Sequence, residues 1–269
     1  MNTISETILS IIRNTAAEYC RRASVEVRFR EPLCGFSDAQ APGIRNLPSL
    51  IPGHILPTDA LPGATAVLSY FLPFAPEVEA SNRDGRLSSE YWAQSYEETN
   101  ALFPIINERI IRQVEAWGYE AVVPPEASAF DREKLISRWS QRHLANQAGL
   151  GTFGIHNLLI TESGCCGRLS SVVTTLPHEM LEIGHAPEEE RCLYKKNGTC
   201  AVCVKRCPTG ALTCTGYDRH KCFEICMENA AIYNCFGNSY ADTAGGEAAD
   251  SGSEVCGKCC TGVPCAFRG

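Results

Sequence analysis

"NGTCAVCVKRCPTGAL", residues 197–212, decides how the C-terminal part of this chain is read. A four-iron cluster loop runs C-x2-C-x2-C-x3-C-P, and Cys200, Cys203, Cys207 and Pro208 match its later positions. The first position is Asn197, which offers no thiolate. Either a ligand is lost or another cysteine replaces it, and Cys192 is the nearest substitute upstream.

A four-iron cube needs thiolates converging from several directions, so a short loop supplies only part of its ligand set. In two-cluster bacterial ferredoxins the cysteine before proline serves the other cluster, and Cys207 therefore calls for distant partners. The stretch "CGKCCTGVPC", residues 256–265, supplies Cys256 and Cys259 plus Cys260 or Cys265, and Cys222 and Cys226 lie between the two groups. The simplest allocation gives one cluster Cys192, Cys200, Cys203 and Cys265, and the other Cys207, Cys222, Cys256 and Cys259. Which of Cys260 and Cys265, and which of Cys222 and Cys226, are ligands stays open. Paired structural zinc sites or inert thiols are the alternatives, since zinc also accepts C-x2-C pairs. The adjacent Cys165 and Cys166 read as structural, and His143 and His156 as packing or hydrogen-bonding residues.

Sixteen cysteines exceed what a cytosolic chain carries without chemical use. Only Cys20, Cys34, Cys165 and Cys166 precede Arg191, so a second module is expected from about residue 189, giving domains 1–188 and 189–269. At 269 residues and 44% apolar composition the chain can bury a real core. No signal-sequence pattern opens it and no apolar run approaches about 18 residues, so a soluble, cytoplasmic protein is expected. The formal charge of −7 argues against a surface built to grip phosphate backbones.

Thr3-Ile4-Ser5-Glu6 has a capping-box pattern and opens an amphipathic helix ending near Cys20. Pro42 to Pro62 reads as loop, Ala64 to Leu72 as a buried strand, and Glu90 to Trp117 as a helix broken or kinked at Pro104. "REKLISRWSQRHLANQAGLG" places Leu135, Ile136, Trp139, Leu144 and Ala148 on one helical face, with Gly149 as its cap. "LLIT" and "SSVVTTL" read as strands, and this alternation to about residue 185 predicts a layered α/β or α+β sandwich. Residues 241–254 have little to bury and are expected to form a flexible insertion. Asp218-Arg219-His220 matches the start of a D-x-H-x-x-G corrinoid motif, but Phe223 stands at the glycine, so the match is read as chance.

The order of "LPGATAVLSYFLPF", "GRLSSEYWAQSYEETN", "QAGLGTFGIHNLLIT", "SSVVTTL", the cluster loop and "DRHKCFEICMEN" resembles the epoxyqueuosine reductases. These pieces cover about residues 60 to 265. The resemblance implies an α+β fold, with a nitroreductase-like, corrinoid-binding α/β sandwich followed by a two-cluster ferredoxin-like module. Ala148, Gly149, Leu150, Gly151, Thr152, Phe153, Gly154 and His156 are similar to the family's A-G-L-G-W-x-G-K turn, which implies contact with cobalamin. Glycines there would let the backbone approach a flat macrocycle.

The implied activity is a cobalamin-dependent oxidoreductase that relays electrons from a low-potential donor, such as ferredoxin or flavodoxin, through two [4Fe-4S] clusters. The alternative is an activator that reduces or binds a corrinoid without a substrate of its own. The family's general-acid aspartate falls near Leu135 here, leaving Asp131 and Glu133 as the nearest acids. Family members also carry a helical-repeat domain after the clusters, whereas this sequence stops four residues beyond Cys265. A small molecule or a corrinoid protein is the expected substrate; tRNA and membrane are not expected partners.

Overall fold

Isoleucines at 4, 8 and 12 recur one helical turn apart, and in the computed structural model they form the buried stripe of helix α1 (Thr3–Arg22). The structure describes residues 3–22, 28–248 and 251–267. Strand β1 (Leu33–Asp38) follows, then three one-turn helices, α2 (Pro42–Arg45), α3 (Leu47–Leu50) and α4 (Pro57–Ala60). They occupy the stretch expected to be loop, and each has a proline in its first turn, where the missing N–H costs nothing.

Strand β2 (Ala66–Pro73) is buried along its whole length. After α5 (Pro76–Ser81) comes α6 (Glu90–Ala116), capped by the Ser89 hydroxyl accepting from Trp92 N–H. The expected break at Pro104 does not occur, because α6 runs unbroken through it. Then come β3 (Ala121–Val122), α7 (Gln141–Gln147), the hairpin strands β4 (Gly151–Phe153) and β5 (Leu159–Thr161), and β6 (Gly167–Thr174).

The main sheet has the order β1-β2-β6-β3, with antiparallel neighbours. Alternate residues supply its two faces. Leu68, Tyr70, Leu72 and Val172 pack with Ile8, Leu102, Ile106 and Ile110 of α1 and α6. Val67 and Val173 pack on the other face with Ile44, Leu47, Trp139 and Leu144. The result is a mixed α/β fold with helices on both faces of an antiparallel sheet.

Two local expectations are corrected. The helix expected through Leu135 and Ile136 is a tight turn, in which Asp131 Oδ1 accepts from the amides of Glu133 and Lys134 at 3.1 and 2.8 Å. The chain reverses there, Leu135 takes a positive φ of 53°, and helix begins only at Gln141. Gly149 does follow α7 with φ 83°, as a helix-terminating glycine should. Residues 241–248 and 251–254 are also not free of packing. Ala241 N–H donates to Ser128 O at 3.0 Å, its carbonyl accepts from Phe130 N–H at 2.9 Å, and Arg132 pairs with Asp242 and buried Glu254.

Trp139 is 1% exposed, and its indole N–H donates to Ser171 Oγ at 2.9 Å. Trp139→Ala should cost about 3–5 kcal/mol in chemical denaturation, leaving a cavity beside the sheet. A loss below about 1 kcal/mol would show that this face of the sheet is not packed as described.

The C-terminal third forms α8 (Leu193–Asn197), α9 (Val202–Arg206) and α10 (Arg219–Ile232). A single apolar cluster crosses the domain boundary expected at 188/189, joining Phe74, Val78 and Trp92 to Cys203, Leu212, Val255 and Val263. Buried Lys258 donates to the carbonyls of Asn82 and Asp84 at 3.0 and 2.7 Å. Gly257, at φ 73°, lies so close to Trp92 that a Cβ would meet the indole at 2.3 Å. The cysteine-rich loop is therefore anchored to the helical layer of the first half.

Candidate metal centre

Cys192, Cys200, Cys203 and Cys265 line one cavity of about 100 Å³, together with His156 and Arg191. Cys192 is buried at the N-terminal end of α8, the helix that leads from it to Asn197. Its amide donates to Glu190 Oε1 at 2.9 Å, and the same oxygen accepts from Thr152 Oγ1 at 3.2 Å. Arg191 donates to the carbonyls of Leu150 and Ile160 at 3.1 and 3.3 Å. The β4–β5 hairpin thus fixes where Cys192 enters the cavity. Asn197 is exposed at the end of α8, where its Oδ1 accepts from Thr199 N–H and Oγ1–H at 3.1 and 2.6 Å.

Cys265 is drawn down to about 5, first by a hydrogen bond from Cys165 and then by His156. Cys203 is pushed up to about 12 by burial and by neighbouring Cys265. Thiols that resist joint ionisation when crowded are what a multivalent cation relieves, because a coordinating thiol is deprotonated outright.

A second group forms beside it. The Cys222 and Cys226 thiols share a hydrogen bond, which lowers Cys222 to about 6. Cys226 lies in turn within electrostatic reach of Cys256 and Cys259. Burial pushes Cys256 up to about 12 and Cys259 well above the usual thiol range, the latter aided by Cys222 and by Cys203 of the first group. The two groups therefore adjoin. Cys207 Sγ pairs with Thr209 Oγ1 at 3.8 Å. Sequence reasoning left Cys226 open, although Cys222 and Cys226 share one face of α10 by their spacing.

Two solvent-exposed polar side chains lie near the second group. Arg142 of α7 is exposed, yet surrounding protein pulls its guanidinium below the usual range, with Tyr217, Tyr240 and Cys259 nearby. Tyr217, 41% exposed, is likewise pushed up by burial and by Cys222. Arg168 lies 3.8 Å from the Tyr96 ring centroid and donates to Tyr240 OH at 3.0 Å. Its Nε is buried with no hydrogen-bond partner among the described residues, while the Asn100 side chain pairs with Glu97.

The glycine turn has tasks within the chain itself. A Cβ on Gly151 would meet Ile160 O at 2.3 Å, and one on Gly154 would meet His156 Cε1 at 2.5 Å. Thr152 and Leu150 hold the approach to Cys192, while Ala148 is buried and Phe153 packs on His143 at 4.8 Å. Asp131 is committed to its turn, and Glu133 is on the surface. Among the described residues, no helix is long and apolar enough to cross a membrane.

No family model matches the chain. It is 27% identical over 175 residues to the curated epoxyqueuosine reductase of Vibrio cholerae, covering 62% of this chain and 42% of that protein. It is 29% identical over 171 residues to the one of Bacillus cereus, covering 60% of this chain and 40% of that protein. A solved selenomethionine-labelled epoxyqueuosine reductase aligns with a TM-score of 0.48 at 17% identity, covering 96% of this chain and 64% of the other. Another, solved with an epoxyqueuosine-modified tRNA-Tyr stem loop, aligns with a TM-score of 0.43 at 19% identity, covering 93% and 65%. The chain is thus similar to curated epoxyqueuosine reductases over about three fifths of its length. The matched stretch spans about two fifths of the length of those two relatives.

Proposed function

We propose that this chain is an oxidoreductase holding two [4Fe-4S] clusters and a cobalamin. The observation that carries the reading is the convergence of Cys192, Cys200, Cys203 and Cys265 on one cavity. The second cluster would be held by Cys222, Cys256 and Cys259, with Cys226 or Cys207 completing it. Four thiols around an enclosed space fit a cluster, and the adjoining groups fit two.

Cobalamin is assigned on the similarity to epoxyqueuosine reductases and on the exposed polar side chains near Cys259. Arg142, exposed near Cys259, is the donor there suited to an amide side arm. Residues 148–156 remain candidate contacts. When bound, the clusters carry single electrons and the cobalamin supplies the cobalt at which a bond is reduced. The chain's own residues hold the cofactors, exclude water from Cys192 and Cys203, and place the two cysteine groups side by side. A ferredoxin or flavodoxin is the proposed donor.

One observation favours a second reading, in which the chain reduces or binds a corrinoid without a substrate of its own. Neither Asp131 nor Glu133 is held as an inward-facing proton donor, because one caps a turn and the other faces solvent. To test the cobalamin assignment, reconstituted iron–sulfur protein is incubated anaerobically with cobalamin, desalted and assayed for cobalt. Retained stoichiometric cobalt, lost in Arg142→Glu, is expected. A protein with full iron and no cobalt would remove the corrinoid.

A further inference from the structure

His156 is 4% exposed and lines the first cysteine cavity. Its Nδ1 accepts the backbone N–H of Leu158 at 3.1 Å, which leaves the ring proton on Nε2. Nε2 lies 3.4 Å from Cys265 Sγ, so the imidazole donates to that sulfur. The arrangement is built into the backbone. Gly154 leaves room for the ring, and the turn is closed by Gly154 N–H to Leu158 O at 2.9 Å and Asn157 N–H to Gly154 O at 3.0 Å. On the other side, Cys165 N–H donates to Cys265 O at 2.9 Å, which fixes the thiol that His156 addresses.

We propose that His156 is a positioning residue that donates its Nε2–H to Cys265 Sγ and raises the reduction potential of the cluster in the first cavity. This rests on the cluster reading above. A hydrogen bond to a ligating sulfur favours the more negative, reduced cluster, and such bonds are among the levers that set cluster potentials. The rival arrangement makes His156, Cys165 and Cys265 direct ligands of one metal ion, since their ligand atoms lie within 4.8 Å of one another.

The test is an EPR-monitored redox titration of the anaerobically reconstituted wild type, His156→Phe and His156→Gln, with iron counted in each. In His156→Phe we expect unchanged iron and one of two midpoints moved downward. At fixed poise the reduced-to-oxidised ratio of that cluster should fall about tenfold, the scale of one charge-assisted hydrogen bond, which is about 59 mV for a one-electron couple. His156→Gln keeps an N–H donor and should recover part of the shift. Gly154→Ala, whose Cβ displaces the ring, should shift the same midpoint downward and serves if the phenylalanine variant does not fold. Unmoved midpoints with full iron would overturn the proposal, and loss of about half the iron would make His156 a ligand instead of a donor. A wild type without iron would fail at the first count and overturn the cluster reading itself.

Discussion

Cys192→Ala will lower the iron content of the anaerobically reconstituted protein from about eight to about four per chain, with acid-labile sulfide falling in step. Cys192 is buried, its amide is held by Glu190, and it faces the cavity shared with Cys200, Cys203 and Cys265. Alanine there leaves three cysteines around that cavity. Cys200→Ala should be as damaging, because it removes a ligand of the same set. Adding Asn197→Cys to Cys192→Ala should not restore the loss, since residue 197 is exposed at the end of α8. A full iron count in Cys192→Ala would assign the fourth position to His156, Cys165 or Cys260.

Turnover of epoxyqueuosine-containing tRNA should be weak, at least about a hundredfold below an epoxyqueuosine reductase with its general acid in place, the lower range of what a positioned acid contributes. Asp131 Oδ1 is occupied by the amides of Glu133 and Lys134, and Glu133 itself is exposed. The net charge of −7 adds a second handicap for a polyanionic substrate. The assay is anaerobic conversion by protein carrying both cofactors, with a strong reductant. Robust conversion abolished by Asp131→Asn would contradict this expectation and return the acid role to that residue.

Much of the scaffold was legible because it rests on local periodicity. The four-residue spacing of Ile4, Ile8 and Ile12 marks α1, and the apolar run through Val67 to Leu72 marks a strand buried on both faces. The turn at Asp131 was missed because its apolar residues mimic a helical stripe, while two amides captured by one carboxylate break it. The packing of Asp242 and Glu254 was hidden because their shared anchor, Arg132, lies 110 residues from Asp242.

The cysteine cavity was legible from the spacing of Cys200 and Cys203, with Cys192 suggested by the vacancy at Asn197. What held Cys192 was not legible. The glycine turn read as a cofactor contact; its intrachain contacts, Thr152 reaching Glu190 and His156 reaching Cys265, 109 residues away, were not legible. Such contacts arise from how the hairpin packs on the C-terminal loop, and no short-range pattern encodes them.

The central claim is that the two adjoining cysteine groups each hold a four-iron cluster. Iron, zinc and acid-labile sulfide analysis of the anaerobically purified wild type, read alongside its Mössbauer spectrum, tests it most directly. The account predicts about eight irons and about eight sulfides per chain, with the quadrupole doublets of cubane clusters. Zinc bound stoichiometrically without labile sulfide would contradict it.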